Sequence, residues 1–209
     1  MVNLNPRSSV SWTDLFLSYG PFVEGARSGV VHSIPHDNSS YKRSALLELE
    51  PALEALLGDQ AALQRELRER GHELYLEARA RLLHLNFSRL SSWLRLRFLG
   101  GRAYAGERAE RERWSRVRCL VWAGLALPGT LGEIAPFVRD VRGNERHGNV
   151  LARLLPTLAL GLLAGAAGKV VGYALGPGAA PRAVTALSFD RPTHMRAEER
   201  SLAAPPRSR

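Results

Sequence analysis

Hydrophobic positions recur along most of the chain with helical rather than strand spacing. Trp12, Leu15, Phe16 and Tyr19 lie at i, i+3, i+4 and i+7, and Ser11 and Asp14 have capping-box spacing. They predict a short amphipathic helix ended by Gly20-Pro21. Residues 1–10 carry no such pattern and are expected to be disordered. Residues 24–41 hold Gly, Ser, Pro, Asn and His without periodicity and read as a loop. A helix or helix pair is expected over 42–57, with Pro51 starting or kinking its second part. Gly58-Asp59 then stops one helix and caps the next. The segment 60–84 reads as one strong helix, with Leu63, Leu67 and Leu74 on a shared face and Arg65 and Glu69 turned away. Asn86 or Ser88 offers a cap for a helix over 88–99, whose buried stripe is Leu90, Trp93, Leu94 and Phe98 and whose end is Gly100-Gly101. A polar connector is expected over 102–112. Residues 113–127 are apolar almost all round, as a central buried helix should be, and Pro128-Gly129 closes them. A short segment follows near 131–141.

The longest apolar pattern lies further on. Leu154 to Gly168 is 15 uncharged residues between Arg153 and Lys169. At ~1.5 Å per residue it reaches about 22 Å, short of a ~30 Å hydrocarbon layer; continuing to Leu175 reaches about 33 Å if Lys169 snorkels. Leu158, Ala159, Leu160, Leu162, Leu163 and Ala164 cover every face, so 150–175 is expected to be a transmembrane anchor with Leu154, Leu158, Leu160, Leu162 and Leu163 as its membrane residues, and a buried core helix is the plainer alternative. Gly161, Gly165, Gly168 and Gly172 have the small-residue spacing of self-associating helices. The tail, 176–209, is rich in Pro, Arg and Ala and is expected to be disordered. The domain reading is therefore a disordered N-terminus (1–10), a helical bundle (11–149), an anchor (150–175) and a disordered tail (176–209).

Composition narrows the chemistry. Hydrophobic residues are 45% and aromatic residues 7%; Leu, Ala and Arg dominate, which favours an all-α fold. The formal charge is +9, from 29 basic and 20 acidic residues, but it is diffuse and no run of consecutive basic residues marks a nucleic-acid site. A single cysteine, Cys119, excludes an internal disulfide and a cysteine-rich zinc site, and fits a reducing compartment. No signal-peptide pattern opens the chain. His32, His36, His72, His84, His147 and His194 are scattered and form no metal-binding pair. No phosphate loop or nucleophile elbow occurs, so no catalytic residues, metal or cofactor are expected.

Three segments carry a resemblance. Arg113 to Gly124, with Trp114, Arg116 and Gly124 in place, resembles the first homology motif of the Bcl-2 apoptosis regulators; Arg113 and Ser115 depart from it. Leu67 to Leu74 resembles the family's death motif through Leu67 and Gly71. There His72 stands where an aspartate is usual, Glu73 follows it, and Leu67 precedes Trp114 by 47 residues, a separation similar to the family's. Phe137, Val138, Asp140 and Gly143 resemble the second homology motif, but only 23 residues after Trp114, which implies a missing or reduced helix.

The resemblance implies a Bcl-2-like bundle around a central helix at 113–127, followed by the C-terminal membrane-inserting helix. It implies a groove that accepts an amphipathic death-motif helix from a pro-apoptotic partner, with Arg116 facing the partner's aspartate and Trp114, Val117, Leu67, Leu74, Leu90 and Trp93 around it. His72 in place of a carboxylate points to an anti-apoptotic role, at the mitochondrial outer membrane or endoplasmic reticulum and facing the cytosol. The compact, divergent form points to a viral mimic acting on its host, with homo- or hetero-oligomers open. Two other readings remain: an unrelated membrane-anchored basic helical adaptor without a groove, and a soluble helical scaffold with 150–175 in its core.

Overall fold

A computed structural model of the chain describes residues 1–35, 38–57 and 59–203. It is mostly helical, with two small two-stranded sheets among those residues. In chain order the elements are β1 (Val2–Asn3), α1 (Ser9–Tyr19), β2 (Gly29–Val31), α2 (Arg43–Leu47), α3 (Leu53–Leu57), α4 (Gln60–Glu69), β3 (Leu74–Leu76) and β4 (Leu83–His84). Then come α5 (Leu90–Arg111), α6 (Arg116–Gly124), α7 (Ala126–Leu131), α8 (Ile134–Arg142), α9 (Leu151–Leu175) and α10 (Ala180–Phe189). Strand β1 pairs with β4 in parallel, with Val2 opposite Leu83, and β2 pairs with β3 antiparallel, with Val30 opposite Tyr75.

The axis of the fold is α9, not residues 113–127. Helix α5 runs along it, and α1, α6 and α7 flank it. The contact with α5 depends on missing side chains. A Cβ on Gly101 would strike the Gly165 carbonyl, one on Gly168 the Phe98 carbonyl, and one on Gly172 the Arg102 carbonyl. At Gly161 it would strike the Trp93 ring. The glycine stripe that predicts self-association is thus filled within the chain, by α5. On an adjoining side, Leu154, Leu158 and Leu162 join Trp12, Leu15, Phe16 and Tyr19 of α1 and Phe137 and Val141 of α8 in the largest apolar core. Smaller clusters hold Val10, Phe87, Trp93 and Leu187, and Ala45, Leu49, Leu63 and Leu67.

Several boundaries differ from the pattern-based expectation. Gly100-Gly101 does not end a helix: α5 passes through both and takes up the expected connector 102–112, and at Gly101 the close approach to α9 outweighs the helix cost of glycine, about 1 kcal/mol. Asn86 and Ser88 do not cap it. Asn86 is buried and hydrogen-bonded to Asn3 and Asn5, and the Ser88 hydroxyl accepts from the Arg196 amide. The expected helix 60–84 stops at Glu69. Asp59 caps its start, accepting from the Ala62 amide at 3.1 Å, and Gly71 at φ +86° ends it; Leu74 then belongs to β3. The expected loop 24–41 contains β2. Helix α1 starts at a Ser8 cap, which frees Asp14 to point inward. The Gly58 stop lies outside the described residues.

Neither end is unstructured where it is described. Asn5 is fully buried, and its amide bonds the Asn86 carbonyl at 2.9 Å and the buried Glu199 carboxylate at 3.3 Å. Helix α10 packs on α5. A polar cluster of short side chains joins residues 1–10 to the 176–203 segment, a link that hydrophobic periodicity cannot register.

Candidate functional site

Helices α6 and α7 and the outer side of α9 expose large apolar side chains. Ser115 caps α6 by accepting from the Arg118 amide, and α6 then presents Val117, Leu120 and Val121 to solvent, at 72%, 65% and 55% exposure. No residue of α6 is buried. Leu125, Leu127 and Leu131 extend the exposed surface through α7. Beside them α9 turns out Leu155, Leu160, Leu163 and Val170, opposite the face that carries its glycines. Soluble monomers rarely leave so many large aliphatic side chains uncovered on neighbouring helices.

Aromatic rings and arginines border this face at one end. Trp114 stacks on Tyr173 with ring centroids 5.6 Å apart, and Trp122 lies 5.4 Å from Trp114. The Arg118 guanidinium sits 4.1 Å over Trp114, and Arg108 lies 5.0 Å from the same ring. Glu112 accepts from Arg108 at 3.0 Å and from the Trp114 indole at 2.7 Å, and these hydrogen bonds hold its carboxyl below the usual carboxylate range.

By length and composition the segment Gly148–Leu175 could cross a membrane; 39% of its most apolar window is buried against the rest of the chain. Its neighbour bears on how it meets lipid. Along the C-terminal half of α9, α5 carries Arg97 and Arg102, and it continues past the end of α9 with Glu107, Arg108, Glu110 and Arg111. A helix so charged resists immersion in hydrocarbon alongside α9.

The groove residues are not gathered. Arg116 and Val117 are exposed on α6, and Trp114 belongs to the aromatic cluster. Leu67 is buried among α2 and α4 residues, Leu74 lies on β3, and Leu90 is exposed at the start of α5. Trp93 is fully buried and donates to Asp14 at 3.0 Å. Of the death-motif residues, Gly71 ends α4, His72 meets Glu48 at 2.9 Å and Glu73 is exposed; with Leu67 and Leu74 they line an open cavity of about 820 Å³. In the second motif, Phe137 is core, Val138 packs against it, Asp140 pairs with Arg139 and Gly143 follows α8. Of the membrane leucines, Leu154, Leu158 and Leu162 are core, and Leu160 and Leu163 are exposed. Among the described residues no cluster of His, Cys, Asp or Glu is placed to hold a metal; His36 lies outside them.

Sequence reasoning passed over a charged centre behind α9. Lys169 donates to Glu133 at 2.8 Å, and Arg97 meets the same carboxylate at 3.2 Å. Lys169 interrupts the apolar run, which was the available signal; it pairs within the fold instead of snorkelling. Close by, Asp14 is buried and accepts from the Phe87 amide and the Trp93 indole. Burial pushes its carboxyl up, against opposing pulls from Arg191 and those hydrogen bonds. Neither a known protein family, nor a curated protein, nor a solved structure matches the chain.

Proposed function

We propose that the chain is a membrane-associated helical adaptor that lies on an intracellular bilayer and acts by contact rather than catalysis. One observation carries this reading: the exposed large aliphatic side chains of α6, α7 and the outer side of α9, three helices packed on one another. An interfacial helix surface buries such side chains at the boundary of headgroups and acyl chains, with aromatic and basic residues at its rim. Trp114, Trp122, Arg108 and Arg118 supply that rim. The charges of α5 favour a chain that lies on the membrane over one that crosses it.

Cys119, the sole cysteine, sits on α6 and provides the test. An environment-sensitive fluorophore attached there shifts to the blue when the full chain meets phosphatidylserine-containing vesicles, and alkaline carbonate releases the chain. Leu120→Glu and Leu163→Glu suppress the shift without changing the circular dichroism spectrum. A label that stays in water at all lipid concentrations would refute the reading.

A second reading, an anti-apoptotic Bcl-2-like regulator, draws support from the open cavity lined by Leu67, Gly71, His72, Glu73 and Leu74. It requires death-motif helices of pro-apoptotic partners to bind the folded chain and His72→Ala, in the lining of that cavity, to weaken the binding. Absence of peptide binding to the folded chain sinks it.

A further inference from the structure

A cavity of about 540 Å³ opens between α1, α5, α9 and α10, on the side of α9 away from the apolar face. Its charged lining is Asp14, Arg97, Glu133, Lys169 and Arg191. Arg97 and Lys169 share the single carboxylate of Glu133. The Arg97 Nε is shielded from solvent and has no hydrogen-bond partner. Arg191 donates to neutral groups, the Leu85 carbonyl at 2.8 Å and the Ser188 carbonyl at 3.3 Å, and lies 3.2 Å from His84 Nε2. Three cations thus face two carboxylates: Glu133 pairs with Arg97 and Lys169, while Asp14 lies in the field of Arg191 and Arg97 but accepts its hydrogen bonds from the Phe87 amide and the Trp93 indole.

The floor of the cavity includes Gly100, and its role differs from that of Gly101. Gly101 is required by the approach of α9. A Cβ on Gly100 would meet nothing within 4 Å. Packing does not demand glycine there, yet its lack of a side chain keeps the cavity clear. Leu17, Leu96 and Val184 add an apolar wall.

We propose that this cavity binds a phosphate monoester, its phosphate held by Arg97, Lys169 and Arg191 and its organic substituent resting on the apolar wall. A phosphate carries about two negative charges at neutral pH and accepts several charge-assisted hydrogen bonds. The Arg97–Glu133 pair is partly solvent-exposed, so it holds its arginine weakly and yields it to a stronger anion. Two sources share this chemistry, a soluble phosphate ester and the headgroup of a phosphatidic-acid-type lipid.

Calorimetric titration of the full chain with glycerol 3-phosphate and with short-chain, water-soluble phosphatidic acid tests the site. Binding near about a millimolar or tighter is expected, weakened at least about tenfold by Lys169→Gln. Gly100→Leu, which places its side chain in open space, abolishes binding while the melting temperature is retained. Glycerol phosphate binding identifies a soluble ester, and binding of phosphatidic acid alone identifies a lipid headgroup. The proposal is overturned if neither probe binds the folded chain, or if Gly100→Leu and Lys169→Gln bind as well as the parent. The Cys119 label reports membrane binding in the same samples, so loss of this site and loss of the apolar-face reading are told apart.

Discussion

Asp14 shows what a single residue can conceal. Its spacing from Ser11 suits a capping box, yet the cap is Ser8 and the carboxyl is enclosed between α1 and the start of α5. Burial raises its pKa in the folded chain, so the folded state binds this proton more readily than the unfolded state does. The resulting stability is fully present below the ordinary carboxylate pKa. It is lost as pH rises from there through the raised value, with a slope of up to about 1.4 kcal/mol per pH unit. Urea unfolding at a series of pH values should show this decline in the parent and not in Asp14→Asn. The asparagine should also be less stable at low pH, because its amide nitrogen faces the N–H donors of Phe87 or Trp93. Periodicity marked Trp93 as an inward residue, which it is; it could not reveal that the indole has a carboxylate partner 79 positions away.

At the scale of elements, the decisive feature is the seam of α5 and α9. A residue at Gly168 would press its Cβ against the Phe98 carbonyl, a backbone atom that cannot swing aside. Gly168→Val should therefore lower unfolding free energy by about 2–3 kcal/mol, the cost of overpacking a close contact. Gly100→Ala, with open space around its Cβ, should raise it by about 0.5–1 kcal/mol through helix propensity and a less flexible unfolded chain. Opposite signs at two glycines of one helix pair, measured by chemical denaturation, would establish which ones the packing needs. The pattern of residues announced both α9 and the first half of α5. It misread Gly100-Gly101 as a terminator because a glycine that stops a helix and one that admits a neighbour look alike until the neighbour is in place. Helix α6 was misjudged for a related reason. An apolar helix signals that its side chains avoid water, not whether protein or lipid covers them.

For the whole molecule, charge and apolar surface act together. Arg113, Arg116 and Arg118 precede the uncharged run of α6 and α7, and the chain carries +9 overall. Each arginine near an anionic surface contributes about 1 kcal/mol, and salt screens it within a Debye length. Vesicle flotation should tighten as phosphatidylserine is added and weaken as salt rises. A residual affinity for neutral vesicles should persist, supplied by Val117, Leu120 and Leu163 and abolished by Leu120→Glu. Binding that vanishes completely at high salt would reassign the contact to charge alone.

The helical character of the chain, the amphipathic α1 with its end at Gly20, the Asp59 cap and the long apolar segment ending at Leu175 all follow from the order of residues. Each depends on neighbours within a few positions. Tertiary structure alone decided that α9, not 113–127, lies at the centre, that its glycines receive α5, and that Lys169 and Arg97 meet Glu133. It also decided that Arg116 stays at the surface and that residues 1–10 join the C-terminal segment. These outcomes rest on contacts between residues tens to nearly two hundred positions apart, and local spacing carries no record of which faces will meet.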